Sequence, residues 1–272
     1  MSSSTLLIRP TLADSHVHLD DAAFDPDRDE VIARAADAGE SMLVLPAIDA
    51  ASWPRIKALC ASHANIFPAY GLHPMYLAQH THDHLRRLGP WLEGDDAVAV
   101  GEIGLDFHDP ALDPQMQRVY FHEQLALARD HDLPVIMHAR GALEEVIQTL
   151  RRWPGLRGVV HSFSGSEQQA LQLFGMGFHI GIGGPVTYDR AQRLRRIVRD
   201  MPLDHLLLES DAPDQPNTSH RGERNEPERI TEVMHCIATL RDVPDADVAA
   251  VTTANTRRLF RLDDPRRHTT AA

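Results

Sequence analysis

The chain has 272 residues, a length that one α/β barrel of roughly 250 residues accounts for without a second domain. A hydrophobic content of 43% with 24% charged residues excludes a disordered chain, and 27 basic against 39 acidic residues, a net charge of −12, exclude non-specific wrapping of duplex nucleic acid by a broad basic surface. No apolar run approaches the roughly 20 residues of a membrane span, so no membrane contact is expected, and Cys60 and Cys236 are too few and too far apart for a disulfide framework or a thiolate zinc site.

In chain order, short β-type runs alternate with longer helical stretches. Strands are expected near Ala13 to His18, Ser41 to Ala47, Asn65 to Tyr70, Ala97 to Glu102, Pro134 to His138, Arg157 to Ser162, Phe178 to Ile182 and His205 to Ser210. Helices are expected at Glu30 to Gly39, Gln115 to His131, Ser166 to Gly175 and Glu226 to Leu240. In the last, Ile230, Val233, Met234, Ile237 and Ala238 follow the spacing of a buried helix face, with Pro227 near its start. Alternation of this kind builds parallel βαβ units. Strands apolar on both parities, such as Ser41-Met-Leu-Val-Leu-Pro, suit a sheet covered by helices outside and packed side chains inside. The expected fold is therefore a single-domain TIM (β/α)₈ barrel over residues 1–262, with a disordered tail at 263–272; an open doubly wound sheet is the rival architecture. The absence of a signal-peptide core and the two isolated cysteines point to the cytoplasm.

In such a barrel, functional side chains gather at the carboxyl ends of the strands. Five predicted strands end on the same chemistry: Asp14-Ser-His16-Val-His18, Gly101-Glu102, Met137-His138, Val160-His161 and Glu209-Ser-Asp211. His16 and His18, two residues apart, share one strand face and can share one metal. Four imidazoles and two carboxylates at one mouth need a cationic partner, because buried polar groups must be satisfied. Nitrogen and oxygen donors without thiolate suit Zn²⁺, Mn²⁺ or Fe²⁺, and Mg²⁺ less well.

The sequence resembles the TatD family of metal-dependent deoxyribonucleases, a branch of the amidohydrolase-like barrels. The resemblance is carried by Asp14-Ser-His-Val-His-Leu, Gly71-Leu-His-Pro, Gly101-Glu-Ile-Gly-Leu-Asp, Leu133-Pro-Val-Ile-Met-His, Gly158-Val-Val-His-Ser-Phe-Ser-Gly-Ser, Gly181-Ile-Gly-Gly, Leu207-Leu-Glu-Ser-Asp-Ala-Pro-Asp, Arg224-Asn-Glu-Pro and Asn255-Thr-Arg-Arg-Leu-Phe. These blocks run from about residue 12 to residue 260. Ser210, Phe107 and Ala139 depart from the residues common in the family, and none is a predicted ligand.

The resemblance implies two divalent metal ions, with His16, His18 and Asp211 on one, His138 and His161 on the other, and Glu102 bridging them. It implies hydrolysis of DNA ends or single strands, or of another phosphodiester, by a metal-activated water, with no obligate protein partner. Glu102 stands where related amidohydrolases carry a bridging carboxylated lysine, which favours the nuclease-like branch. Asp211 can take the proton of the attacking water. His73, counted with Glu102 and Asp211 as catalytic, either orients substrate or a group behind the metal ligands, or is a turn histidine fixed by Pro74. Arg140 and Arg224 either grip phosphate or face solvent. Asp14 is expected to orient an imidazole, with a structural hydrogen bond as the alternative. Ser162-Phe-Ser-Gly-Ser166 offers N–H groups to an anion or caps a helix. His80-Thr-His82-Asp-His84 reads as a solvated histidine run away from the mouth. Two other functions fit the same residues: a small-molecule amide, lactone or phosphoester hydrolase, and a non-catalytic metal-bound binding module.

Overall fold

The computed structural model describes residues 10–94 and 96–263. Within them eight parallel strands follow one another around a barrel in the order of the sequence: β1 (Leu12–Asp14), β2 (Glu40–Pro46), β3 (Ile66–Tyr70), β4 (Ala99–Asp106), β5 (Val135–Arg140), β6 (Gly158–Val160), β7 (Phe178–Ile182) and β8 (Leu206–Leu208). The helices between them are α1 (Arg28–Ala38), α2 (Trp53–Ser62), α3 (His82–Leu92), α4 (Pro114–Asp130), α5 (Leu143–Leu150), α6 (Glu167–Gly175) and α7 (Gln192–Asp200). Helices α8 (Ile230–Arg241) and α9 (Asp245–Phe260) follow β8. The expected tail at 263–272 lies, apart from Asp263, outside the described residues.

The sheet ladder runs from β1 to β8, and its two ends are joined at the carboxyl side by Ser15 N–H to Leu208 O (2.9 Å), Asp211 N–H to His16 O (2.9 Å) and His18 N–H to Ala212 O (2.8 Å). These bonds close the barrel and exclude the open sheet. They also set the end residues of β1 and β8 side by side.

Both strand parities are apolar, as the sequence requires. Leu43, Leu45, Val135, Met137, Leu206 and Leu208 belong to the large core shared with the helices. The alternate residues Met42, Val44, Ile136, Val159 and Leu207 form a smaller cluster with Leu259 and Phe260 of α9. This alternation places two packed layers on one sheet. The five spaced apolar residues of α8 are all buried. Pro227 sits in a short 3₁₀ turn ahead of that helix, so α8 begins at Ile230 rather than Glu226.

Two strand ends depart most from the expected elements: β1 stops at Asp14, so His16 and His18 lie beyond the strand rather than sharing a strand face, and β4 continues four residues beyond Glu102 to Asp106. β4 can do so because Gly104, at φ +135°, approaches β5 so closely that a Cβ there would lie 2.0 Å from the His138 carbonyl oxygen. Only glycine permits that contact. The strand therefore carries two carboxylates, Glu102 and Asp106, to the barrel mouth.

Candidate metal centre

The carboxyl ends of the strands surround a cavity of about 810 Å³, at whose floor His18, His73, Glu102, His138, His161 and Asp211 meet. Glu102 is buried at its centre. Its Oε2 lies 3.2 Å from His16 Nε2 and 3.8 Å from His18 Nε2, and its Oε1 lies 2.7 Å from His161 Nε2, 3.2 Å from His138 Nδ1 and 2.9 Å from His73 Nε2. Asp211 Oδ1 faces the first pair at 3.4 Å from His16 and 3.7 Å from His18.

Ring nitrogens converge in pairs, His16 Nε2 to His18 Nε2 at 3.1 Å and His138 Nδ1 to His161 Nε2 at 3.3 Å. Two imidazole lone pairs aimed at one point repel unless a proton or a cation lies between them. Three groups bring ligand-capable atoms within 4.8 Å of one another: His16, His18 and Glu102; His73, Glu102 and His138; and His16, His161 and Glu209. The outer nitrogens His16 Nδ1 and His161 Nδ1 are buried with no hydrogen-bond partner. An all-imidazole and carboxylate donor set of this kind fits a divalent transition metal.

The electrostatics agree with a cationic surrounding for Glu102. Burial by itself raises a carboxyl pKa, yet the imidazoles of His161, His73 and His16 hold Glu102 well below the usual carboxylate range. His161 shows the reciprocal effect: burial opposes its protonation, and Glu102 overrides this and pushes it up to about 10. Burial, reinforced by the charge of His161, keeps His16 well below the ordinary imidazole value. Burial also raises Asp211. Glu102 and His161, 2.7 Å apart, thus stabilise each other as anion and cation.

His73 is not a free turn histidine. Its Nδ1 accepts the Met75 N–H at 3.1 Å, so the neutral ring carries its proton on Nε2 and donates to Glu102 Oε1. Burial lowers it to about 4, which keeps the ring in that neutral donor form. The turn at Pro74 and the orienting role are therefore one device. His80, expected to be solvated, is buried and donates from Nε2 to the His73 carbonyl at 2.8 Å, holding the same loop. His82 stays exposed at the start of α3.

Other expected contacts fall differently. Arg140 lines the cavity from the end of β5. Arg224 is not brought there: its guanidinium donates to Asp27 at 2.7 and 2.8 Å and to Glu226 at 2.8 Å, and packs 4.8 Å over the Phe24 ring. Asp14 touches no imidazole; its Oδ1 accepts the backbone N–H of His16 (3.1 Å) and of Ser210 (3.0 Å), which is the structural alternative. Ser166 caps α6 in a reciprocal box with Gln169, while the Ser162 N–H is given to Glu209.

Two acids that sequence reasoning passed over belong to the site. Asp106 Oδ2 lies 2.8 Å from His138 Nε2, which fixes that ring with Nδ1 turned to Glu102. Period-two alternation from Glu102 would have placed it on the same strand face. Glu209, buried among the end residues of β8 and pushed by burial to about 8, stands 4.0 Å from His161 Nδ1. Gln215 joins them, donating from Nε2 to Asp211 and accepting at Oε1 from the Ser162 hydroxyl (2.9 Å).

Residues 13–261 match the model of the TatD related DNase family. The chain is 40% identical over 254 residues to the uncharacterised metal-dependent hydrolase YjjV of Escherichia coli K12, covering 92% of this chain and 97% of that one. It is 35% identical over 259 residues to a protein of Erwinia tasmaniensis named 3'-5' ssDNA/RNA exonuclease TatD, covering 92% and 99%. The crystal structure of the Escherichia coli TatD homologue YjjV superposes with a TM-score of 0.88 at 38% identity, over 92% of this chain and 98% of that one.

Proposed function

The chain belongs to the TatD related DNase family of metal-dependent hydrolases, and from that premise we propose that it is a divalent-metal-dependent phosphodiesterase acting on DNA ends or single strands. One observation carries the reading: the two oxygens of Glu102 are divided, Oε2 toward His16 and His18 and Oε1 toward His138 and His161. A carboxylate so divided is placed to bridge two ions. His16, His18 and Asp211 would hold one, and His138 and His161 the other. When bound, a pair of divalent ions supplies Lewis acidity that makes water nucleophilic near neutral pH and offsets phosphodiester charge.

The chain's own residues supply the rest. His73 donates to Glu102 and keeps its orientation. Asp106 fixes the His138 tautomer so that Nδ1 presents its lone pair inward. Asp211, its Oδ2 held by Gln215, has Oδ1 beside the His16 and His18 pair, where it takes the proton of the attacking water. Arg140 at the cavity wall meets the substrate phosphate. We place this activity in one domain and, with Cys60 and Cys236 both free, in a reducing cytoplasm. Among the described residues no helix is long and apolar enough to cross a membrane.

A small-molecule hydrolase is the second reading, favoured by Asp20, Asp21, Asp49 and Asp214 around the cavity and by the net charge of −12. The separating experiment loads purified protein with Zn²⁺, Mn²⁺ or Mg²⁺, counts bound ions, and assays bis(p-nitrophenyl) phosphate, single-stranded DNA and a lactone. Turnover of the first two without the third is expected. Lactone turnover with neither phosphodiester cleaved removes the nuclease assignment.

A further inference from the structure

A second cavity of about 310 Å³ lies beside the first, between the loop after β6 and the segment leading into α7. Ser162, Phe163 and Ser164 line both. A tripeptide extends roughly 10 Å at most, so the two cavities adjoin.

The walls of this cavity are largely apolar. Phe163 and the backbone of Gly181 and Gly183 are buried along one side, and Leu194 of α7 is half-buried on the other. Gly181 makes room for Glu209: a Cβ there would lie 2.0 Å from its Oε2, while one on Gly183 would lie 3.1 Å from its carbonyl oxygen. Arg190 and Arg193 stand exposed at the rim. Arg193 donates to the Ser164 carbonyl at 2.6 Å, tying α7 to the loop after β6, and the Arg190 guanidinium rests 5.3 Å over the Tyr188 ring.

The charge around the barrel mouth is polarised. Asp214, Asp20, Asp21 and Asp49 follow β8, β1 and β2, with Arg55 of α2 the one cavity-lining arginine on that arc among the described residues, whereas Arg140, Arg190 and Arg193 end β5 or follow β7. A polyanion docked at the centre is repelled by the first arc and drawn along the second. A cavity with apolar walls and exposed guanidinium groups matches a nucleotide, whose base needs a stacking or apolar surface and whose phosphate needs a cation.

We infer that the cavity between Phe163, Gly181 and Leu194 binds the nucleotide next to the scissile phosphodiester, its base in the slot and its phosphate at Arg190 and Arg193. The inference rests on the phosphodiesterase reading and deepens it. A base can enter the slot only when unpaired and unstacked.

The test is a fluorescence titration of 2-aminopurine-labelled single-stranded DNA in chelator, where nothing is hydrolysed, against the full chain, Arg190→Ala and Leu194→Trp, with melting curves for each. The unaltered protein is expected to bind the labelled strand roughly tenfold tighter than the same strand with an abasic site in place of that base, and each variant to lose roughly that factor, the scale of one stacked base. Equal affinity for the labelled and the abasic strand, or both variants binding like the unaltered chain, overturns the inference. Hydrolysis of bis(p-nitrophenyl) phosphate by the manganese-loaded protein is read separately. If that fails while the titration behaves as expected, the phosphodiesterase reading falls and the nucleotide site stands.

Discussion

Asp106 Oδ2 sits 2.8 Å from His138 Nε2, while the other nitrogen of the same ring, Nδ1, lies 3.2 Å from Glu102 Oε1. One imidazole is thus held between two carboxylates of a single strand. The outer carboxylate decides which nitrogen carries the proton. Asp106→Asn leaves a hydrogen-bond partner but removes its charge. It is expected to lower metal affinity or turnover by roughly 10–100-fold, read by titration with a competing chelator, with an unchanged circular dichroism spectrum. Unaltered affinity would falsify the orienting role.

Glu102→Ala removes the acid common to both imidazole pairs and leaves several ring nitrogens facing each other. The variant is expected to keep its fold, to lose bound metal by elemental analysis, and to fall in turnover by more than about a thousandfold, equivalent to roughly 4 kcal/mol. Retained activity would contradict the bridge.

Ions bound only by the folded barrel stabilise it by mass action. At metal concentrations about a hundredfold above Kd the gain is roughly 2.7 kcal/mol, which for a chain of this size raises Tm by about 5–10 °C. Differential scanning fluorimetry with and without chelator measures this. Glu102→Ala is expected to abolish the shift, and a similar shift in that variant would place the metal elsewhere.

His179 lies on β7, with its Nδ1 buried and unpartnered, and burial, together with nearby His205, depresses it from 6.5 to about 4. Between those values the unfolded chain binds the proton and the folded chain does not. The stability tied to this neutral ring is therefore complete above pH 6.5 and is lost as pH falls toward 4, by roughly 1 to 3 kcal/mol over the window. Urea melts across that range, compared with His179→Phe, isolate it. Parallel pH profiles for the two proteins would show that another group is responsible.

Arg224 is engaged by Asp27 and Glu226 and stacked on Phe24, so it fastens the segment after β8 to the start of α1. Arg224→Ala is expected to lower Tm while leaving KM for a phosphodiester unchanged. A rise in KM with no loss of Tm would restore it as a substrate contact.

The cluster was legible because a barrel turns distant chain positions into neighbours by a fixed rule: Glu102, His138 and His161 each close a mainly apolar run, and His16, His18 and Asp211 lie within four residues of the ends of β1 and β8. Asp106 was hidden by glycine. Gly101 and Gly104 weaken any strand signal, and their tolerance inside β4 depends on a close approach to β5 that no local pattern encodes. His80 was misread for a related reason, since composition marks it as polar while its burial depends on the His73 loop folding over it. Arg224 illustrates the converse: an arginine beside a motif is assigned by its partners, and Asp27 lies 197 residues away in sequence.

The Asp14 carboxylate accepts from the main chain of His16 and of Ser210, clasping the first strand to the last. On the ribosome, the chain emerges with its paired histidines about two hundred residues ahead of Asp211. Until the eighth strand is delivered, Asp14 has no Ser210 to hold and the histidines no Asp211 to face. Synthesis therefore couples barrel closure to completion of the reactive centre, and a product truncated before Ser210 is born both unsealed and inert.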